Sequence, residues 1–198
     1  MRLLVSLLAL ATAGNAWAGG IGLLTTGGVH TERVWFYDRS DNHTQHQMTQ
    51  IVPSYGTGLE VVLGDRQDRV IGLFRAYWEQ HAAQQDLSVR QNPAGVSRRY
   101  VVANVRDTPR DVGMASVGVQ WGFLGSPDAL MVTAVGSMGS GFLTVDKNEF
   151  FQVEAGGGVA YNFGRAFQAH GNLVYQGRFR KGWSHGPNVY AGIRYMFD

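Results

Sequence analysis

At 198 residues and 44% apolar side chains, the chain has the size and composition of one domain, and its 27 glycines are about twice the ordinary share. The absence of cysteine excludes disulfides, thiol catalysis and thiolate metal sites, and a formal net charge of +2 gives no support to nucleic-acid binding. A membrane-spanning helix is excluded as well, since it needs a run of about 20 apolar residues and none occurs.

The amino terminus reads as an export signal. Met1 and Arg2 give a positive start, Leu3 to Ala11 an apolar stretch, and Ala16-Trp17-Ala18 a small-x-small cleavage site. Residues 1–18 are therefore expected to be removed, leaving 19–198 as the folded domain.

From Gly19 onward, eight segments alternate apolar and polar residues, the period of a strand with two different faces. The first, Ile21 to Tyr37, is the least regular. The second, Ser54 to Leu63, sets Tyr55, Thr57, Leu59, Val61 and Leu63 against Gly56, Gly58 and Glu60. The third, Val70 to Gln80, sets Val70, Phe74, Ala76 and Trp78 against Arg75, Tyr77 and Glu79. The fourth, Gly113 to Leu124, opposes Val117, Val119, Trp121 and Phe123 to Ser116, Gly118 and Gln120. Leu130 to Leu143 is apolar on both faces. The sixth opposes Phe151, Val153, Ala155, Val159 and Tyr161 to Gln152, Glu154, Gly156, Gly158 and Asn162. The seventh opposes Phe167, Ala169, Leu173, Tyr175 and Phe179 to Gln168, His170, Asn172, Gln176, Arg178 and Arg180. The last runs from Asn188 to Phe197.

The connections differ in length. Residues 64–68, 125–128 and 162–165 are short and carry Gly, Asp and Pro suited to tight turns. Asp38 to Val52, His81 to Asp111 and Gly182 to Pro187 read as longer loops, and Asp146 to Glu149 breaks the trend. In an outer-membrane barrel the periplasmic turns are short and the outer loops long. Aromatics of outward parity also gather at both ends of the segments. Trp35, Tyr37, Tyr55, Trp78, Phe151 and Phe179 lie at the long-loop ends, and Trp121, Phe123, Phe163, Phe167, Tyr195 and Phe197 at the short-turn ends. Two such girdles mark the two interfaces of a bilayer. The expected fold is thus all-β, an eight-stranded antiparallel up-and-down transmembrane β-barrel in the bacterial outer membrane.

A bore of that size is about wide enough for side chains to fill. The inward set holds Glu32, Glu60, Glu79 and Glu154 with Arg75, Arg178, Arg180 and Arg194, a composition suited to mutually cancelling ion pairs. At the outer rim, Arg90, Arg98, Arg99, Arg106, Arg110 and Lys181 suit the phosphates of lipopolysaccharide. Ser97 to Val105 has strand propensity and reads as an extension of the sheet beyond the bilayer, with 92–95 as its hairpin tip. Catalysis is not the expectation. Its candidates are His170 with Ser137 or Ser116 and Glu154, and the pair Ser184 and His185. His43 and His46, beside Asp38 and Asp41, read as a solvated loop, and no metal or cofactor is expected.

The carboxyl-terminal segment carries Tyr190, Gly192, Tyr195 and Phe197 in the pattern polar-x-Gly-x-x-aromatic-x-aromatic. It resembles the insertion signal of bacterial outer-membrane barrels, which implies the barrel-assembly machinery as a partner during insertion. Signal, strands, girdles and terminal pattern together resemble small outer-membrane barrels of the OmpA-domain, OmpX and OmpW type. The resemblance implies contact with outer-membrane lipid and lipopolysaccharide. It also suits a structural or partner-docking role through the outer loops, in the cell envelope or as a component of an envelope-spanning complex. A narrow porin-like pore and a lipid-modifying hydrolase stand as the alternatives.

Overall fold

The computed structural model describes residues 19–38, 45–81, 100–101, 110–143, 148–179 and 183–197, with the side chains of 32–38, 45–50, 100, 101, 110, 143, 148 and 183 left out of the description. Its strands are β1 (Gly19–Asp38), β2 (Gln45–Leu63), β3 (Val70–His81), the two-residue β4 (Tyr100–Val101), β5 (Arg110–Gly125), β6 (Leu130–Leu143), β7 (Asn148–Phe163), β8 (Phe167–Phe179) and β9 (Trp183–Phe197). No helix occurs among the described residues.

Apart from β4, each strand pairs antiparallel with the next, and β9 returns to pair with β1. The sheet therefore closes into an eight-stranded up-and-down barrel with no open edge along its wall. Tight turns join its strands at one end, with Gly64, Gly125 and Gly164 at positive φ, a region that costs a side-chain-bearing residue energy. A register shift between Gly122 and Leu124 bulges β5, so Phe123 and the following Leu124 are both exposed.

Five strands begin earlier than the sequence pattern suggests, β1 at Gly19 and β5 at Arg110 by two or three residues and three others as follows. β2 starts at Gln45 rather than Ser54, β9 at Trp183 rather than Asn188, and β7 at Asn148. Pro53 and Pro187 lie at two of these boundaries, and the pairing explains how the strands pass through them. The described β2–β3 pairing ends with Ser54 opposite His81, one residue short of Pro53, so among the described residues no ladder bond on that side calls for an N–H there. Pro187 lies in the break of β1–β9 pairing, between Gly28 opposite Asn188 and Thr31 opposite His185. Beyond that point β1 outruns β9, and β4 takes up its edge through Tyr37 opposite Val101 and Asp38 opposite Tyr100. The sheet extension expected over 97–105 is thus present at two residues, and the rest of that stretch lies outside the described residues.

The packing is inverted relative to a water-soluble domain. Leu23, Ile51, Tyr55, Leu173 and Val117 are 55–74% exposed on the outer wall, whereas Glu60, Glu79, Arg75 and Arg194 are 0–1% exposed inside. The girdle aromatics Tyr55, Trp78, Phe151, Phe179, Trp121, Phe123, Phe163, Phe167, Tyr195 and Phe197 are all exposed on that wall. Phe163, Phe167, Tyr195 and Phe197 form a run of ring contacts around the short-turn rim, with centroids 5.4–5.7 Å apart. The side chains of Trp35 and Tyr37 lie outside the described residues.

Candidate functional site: the polar barrel interior

Strand alternation sends Glu60 (β2), Arg75 (β3), Glu154 (β7) and Arg194 (β9) into the same space, because each shares its strand's inward parity. Arg75 Nε donates to Glu60 Oε2 at 2.7 Å, and its Nη1 donates to Glu154 Oε1 at 3.1 Å. Arg194 Nε donates to the other oxygen of Glu60, while its terminal nitrogens donate to Gln168 Oε1 at 2.6 Å and Gln120 Oε1 at 3.1 Å. Arg75 also lies over the Tyr190 ring, 4.7 Å from its centroid, a favourable seat for a cation.

Glu154 is the hub of the middle layer. It accepts from Ser137 Oγ at 2.6 Å, Tyr190 OH at 2.7 Å, Gln176 Nε2 at 3.0 Å and Gln152 Nε2 at 3.2 Å. Gln152 Nε2 also donates to Tyr77 OH, and the two tyrosine hydroxyls are 3.0 Å apart. Toward the long-loop end, Arg178 Nε donates to Gln152 Oε1 at 2.8 Å, and its Nη2 is paired with Glu79. Three carboxylates and three guanidiniums are therefore joined through two glutamines and two tyrosines into one network. Opposite charges removed from water persist only when each is paired and its remaining donors are satisfied, and this arrangement meets that condition at almost every atom. Arg75 Nη2 is an exception, with no hydrogen-bond partner.

Glycines make the space. A Cβ on Gly58 would lie 2.3 Å from the Tyr77 Cβ, and one on Gly118 would lie 2.5 Å from that of Ser137. Long Arg, Glu and Tyr side chains occupy the volume those positions leave.

Among the described residues, buried apolar side chains lie toward both ends of the bore. Leu24, Val62, Met196 and Ile71 lie buried near the short turns, and Val52, Val112, Met114 and Phe150 near the long loops. Across the short-turn mouth, Arg66 of the β2–β3 turn donates to Gly164 O at 3.0 Å and to the carbonyl of Arg165 in the β7–β8 turn, although those hairpins are not neighbours in the sheet. A bore wide enough for water would expose the charged lining, yet Arg75, Arg194, Glu60, Gln176 and Tyr190 are at most 1% exposed.

The other expected site residues fall as follows. The side chains of Glu32, Arg180, Arg90, Arg98, Arg99, Arg106, Arg110 and Lys181 lie outside the described residues, as do those of His43 and His46. The catalytic candidates are not assembled. Ser137 is bonded to Glu154, but His170 stands apart with Asn172 Nδ2 at 3.2 Å from Nδ1, and its Nε2 lies 3.2 Å from Glu60 without hydrogen-bond geometry. Ser116 Oγ is buried without a partner, and His185 contacts Tyr175 on the outer wall. Of the terminal pattern, Tyr195 and Phe197 face outward, whereas Tyr190 is fully buried in the network. The sequence reading missed His30 and His81. Both are inward and buried, and the parity of Leu24, Thr26 and His30 along β1 was a usable signal for the first.

No protein-family model matches the chain, and a search of curated proteins found no match.

Proposed function

We propose that the protein is an integral outer-membrane β-barrel with a sealed interior. It acts as a scaffold that presents its long-loop end to lipopolysaccharide and to a protein partner. The observation that carries the reading is the inversion of the packing: leucine, valine and aromatic side chains cover the wall while ion pairs fill the centre. Only lipid or detergent gives such a wall a suitable solvent, and a closed sheet leaves no wall N–H or C=O unpaired within it. The filled lumen supports a scaffold over a pore, and the scattered serines and histidines give no support to a hydrolase.

Planar-bilayer recording tests the reading. The mature chain, refolded in detergent and added to a bilayer, gives no conductance steps. Steps that vanish on neutralising Arg178 or Glu154 would instead establish a narrow pore. A mature chain that stayed monomeric and β-structured in plain buffer would overturn the membrane assignment itself.

A further inference from the structure

We infer that His30, Glu79 and His81 form a binding site for a first-row divalent transition-metal ion, zinc above all, inside the long-loop end of the barrel. The three residues come from two strands that do not touch. His30 is on β1, and Glu79 and His81 are on β3, with β2 between them. They meet because the inward positions of β2 there are small: Gly56 lies opposite Glu79, and Ser54 opposite His81. A Cβ on Gly56 would lie 2.8 Å from the Cα of Glu79 and 2.9 Å from Thr26, so only glycine leaves the passage over β2 open.

The donor geometry is compact. One ligand atom from each residue lies within 4.8 Å of the others. The Glu79 carboxylate has one oxygen 3.6 Å from His30 Nε2 and the other 3.6 Å from His81 Nε2. The two imidazoles stack at 5.3 Å with only 8° between their planes. All three residues are at most 3% exposed. Two imidazoles and one carboxylate are a common protein ligand set for zinc, and one that leaves a fourth coordination position open.

Two further features fit ligation. Arg178 Nη1 lies 3.0 Å from His81 Nε2; because a guanidinium only donates, that nitrogen is unprotonated, and the lone pair it now turns to Arg178 is the one an ion would take. Ser54 Oγ donates to Glu79 Oε1 at 2.8 Å and so orients the carboxylate from outside, while it accepts from His30 Nε2 at 3.1 Å, a contact that gives way when Nε2 turns its lone pair to the ion. His30 is fully buried, yet its Nδ1 has no partner. The contacts made by the protein alone thus leave this ring incompletely used, and Nδ1 is where its single proton resides when Nε2 binds the ion. In the metal-free cluster the Arg178 guanidinium supplies the positive charge next to Glu79. An arriving ion displaces it toward Gln152 Oε1, already at 2.8 Å, and Gln176 Oε1 at 3.5 Å.

The test is calorimetric titration of the refolded full mature chain in detergent with zinc alone, together with electron paramagnetic resonance of the copper(II)-loaded protein. One saturable ion per barrel is expected, with nitrogen hyperfine coupling from two imidazoles. His30→Gln and His81→Gln should each abolish saturable binding, and Ser54→Ala should weaken it about ten- to a hundredfold. Arg178→Gln should bind more tightly, because the competing cation is gone. A chain in which His43, His46 and His185 are all glutamine should bind like the parent. Absence of saturable binding by folded parent protein would overturn the inference. So would a copper spectrum without two-imidazole coupling, which needs no variant to fold. Binding that survives both His30→Gln and His81→Gln would also overturn it, as would binding lost with the other three histidines or weakened by Arg178→Gln.

Discussion

Individual interior residues hold charge rather than grease, and their substitution has large effects. Glu60 faces two guanidiniums, from Arg75 and Arg194. Glu60→Gln leaves both against a neutral amide in a fully buried space. Removing one partner of a buried ionic group typically costs about 3–5 kcal/mol. Urea unfolding of the vesicle-inserted protein should show a loss of that size, and a loss under 1 kcal/mol would mean that water reaches the site. Tyr190→Phe removes a hydroxyl that donates to Glu154 and accepts from Gln176. The same assay should show a smaller loss, about 1–3 kcal/mol, the usual consequence of leaving a buried polar group unsatisfied.

Among the strands, the two faces of one sheet respond oppositely to the same chemical change. An added methyl at inward Gly158 would lie 1.9 Å from the carbonyl oxygen of Gly171, pressing β7 against β8. At outward Gly136 its nearest atom would be the Glu154 carbonyl oxygen at 3.9 Å. Gly158→Ala should therefore cost about 1–3 kcal/mol, and Gly136→Ala should stay within about 0.5 kcal/mol. The temperature at which the folded barrel loses its fast gel mobility separates the two. The sequence reveals which residues face inward because period-two alternation survives in almost every strand; Glu60, Arg75, Glu154, Arg178 and Arg194 were all placed by parity alone. Strand ends were less legible, since proline reads as a stop. Among the described residues Pro53 falls just beyond the end of the β2–β3 pairing and Pro187 in a gap of the β1–β9 pairing, where no ladder N–H is called for, a fact of register that no single segment contains. The partners within the network were less legible still. Which carboxylate meets which guanidinium depends on stagger between strands, and His30 meets Glu79 across an intervening strand only because β2 carries Gly56 there.

For the molecule as a whole, the proposed bilayer makes cost depend on height along the wall. Leu173 lies midway along β8 and is 60% exposed, whereas Tyr195 sits in the aromatic rim at the short-turn end. An arginine on the lipid face costs about 2–4 kcal/mol at the midplane and about 0–1 kcal/mol near an interface. Leu173→Arg should thus impair stability in vesicles strongly and Tyr195→Arg weakly, as measured by reversible urea unfolding. Equal effects at the two positions would argue against a bilayer around this wall.

The ion-pair network also constrains how the molecule assembles. Among the described residues its acids and bases are dealt out around the circumference, so that Glu154 meets Arg75, Glu79 meets Arg178 and Glu60 meets Arg194 across the bore. β2 and β3 bring Glu60 and Arg75, yet the second cation on Glu60 arrives only with β9, the last to be synthesised. A half-curled sheet would leave a guanidinium such as that of Arg194 or Arg178 without its carboxylate partner. Burial of the charges thus waits on the final hairpin, and in the proposed bilayer setting curling shut and insertion become a single cooperative event.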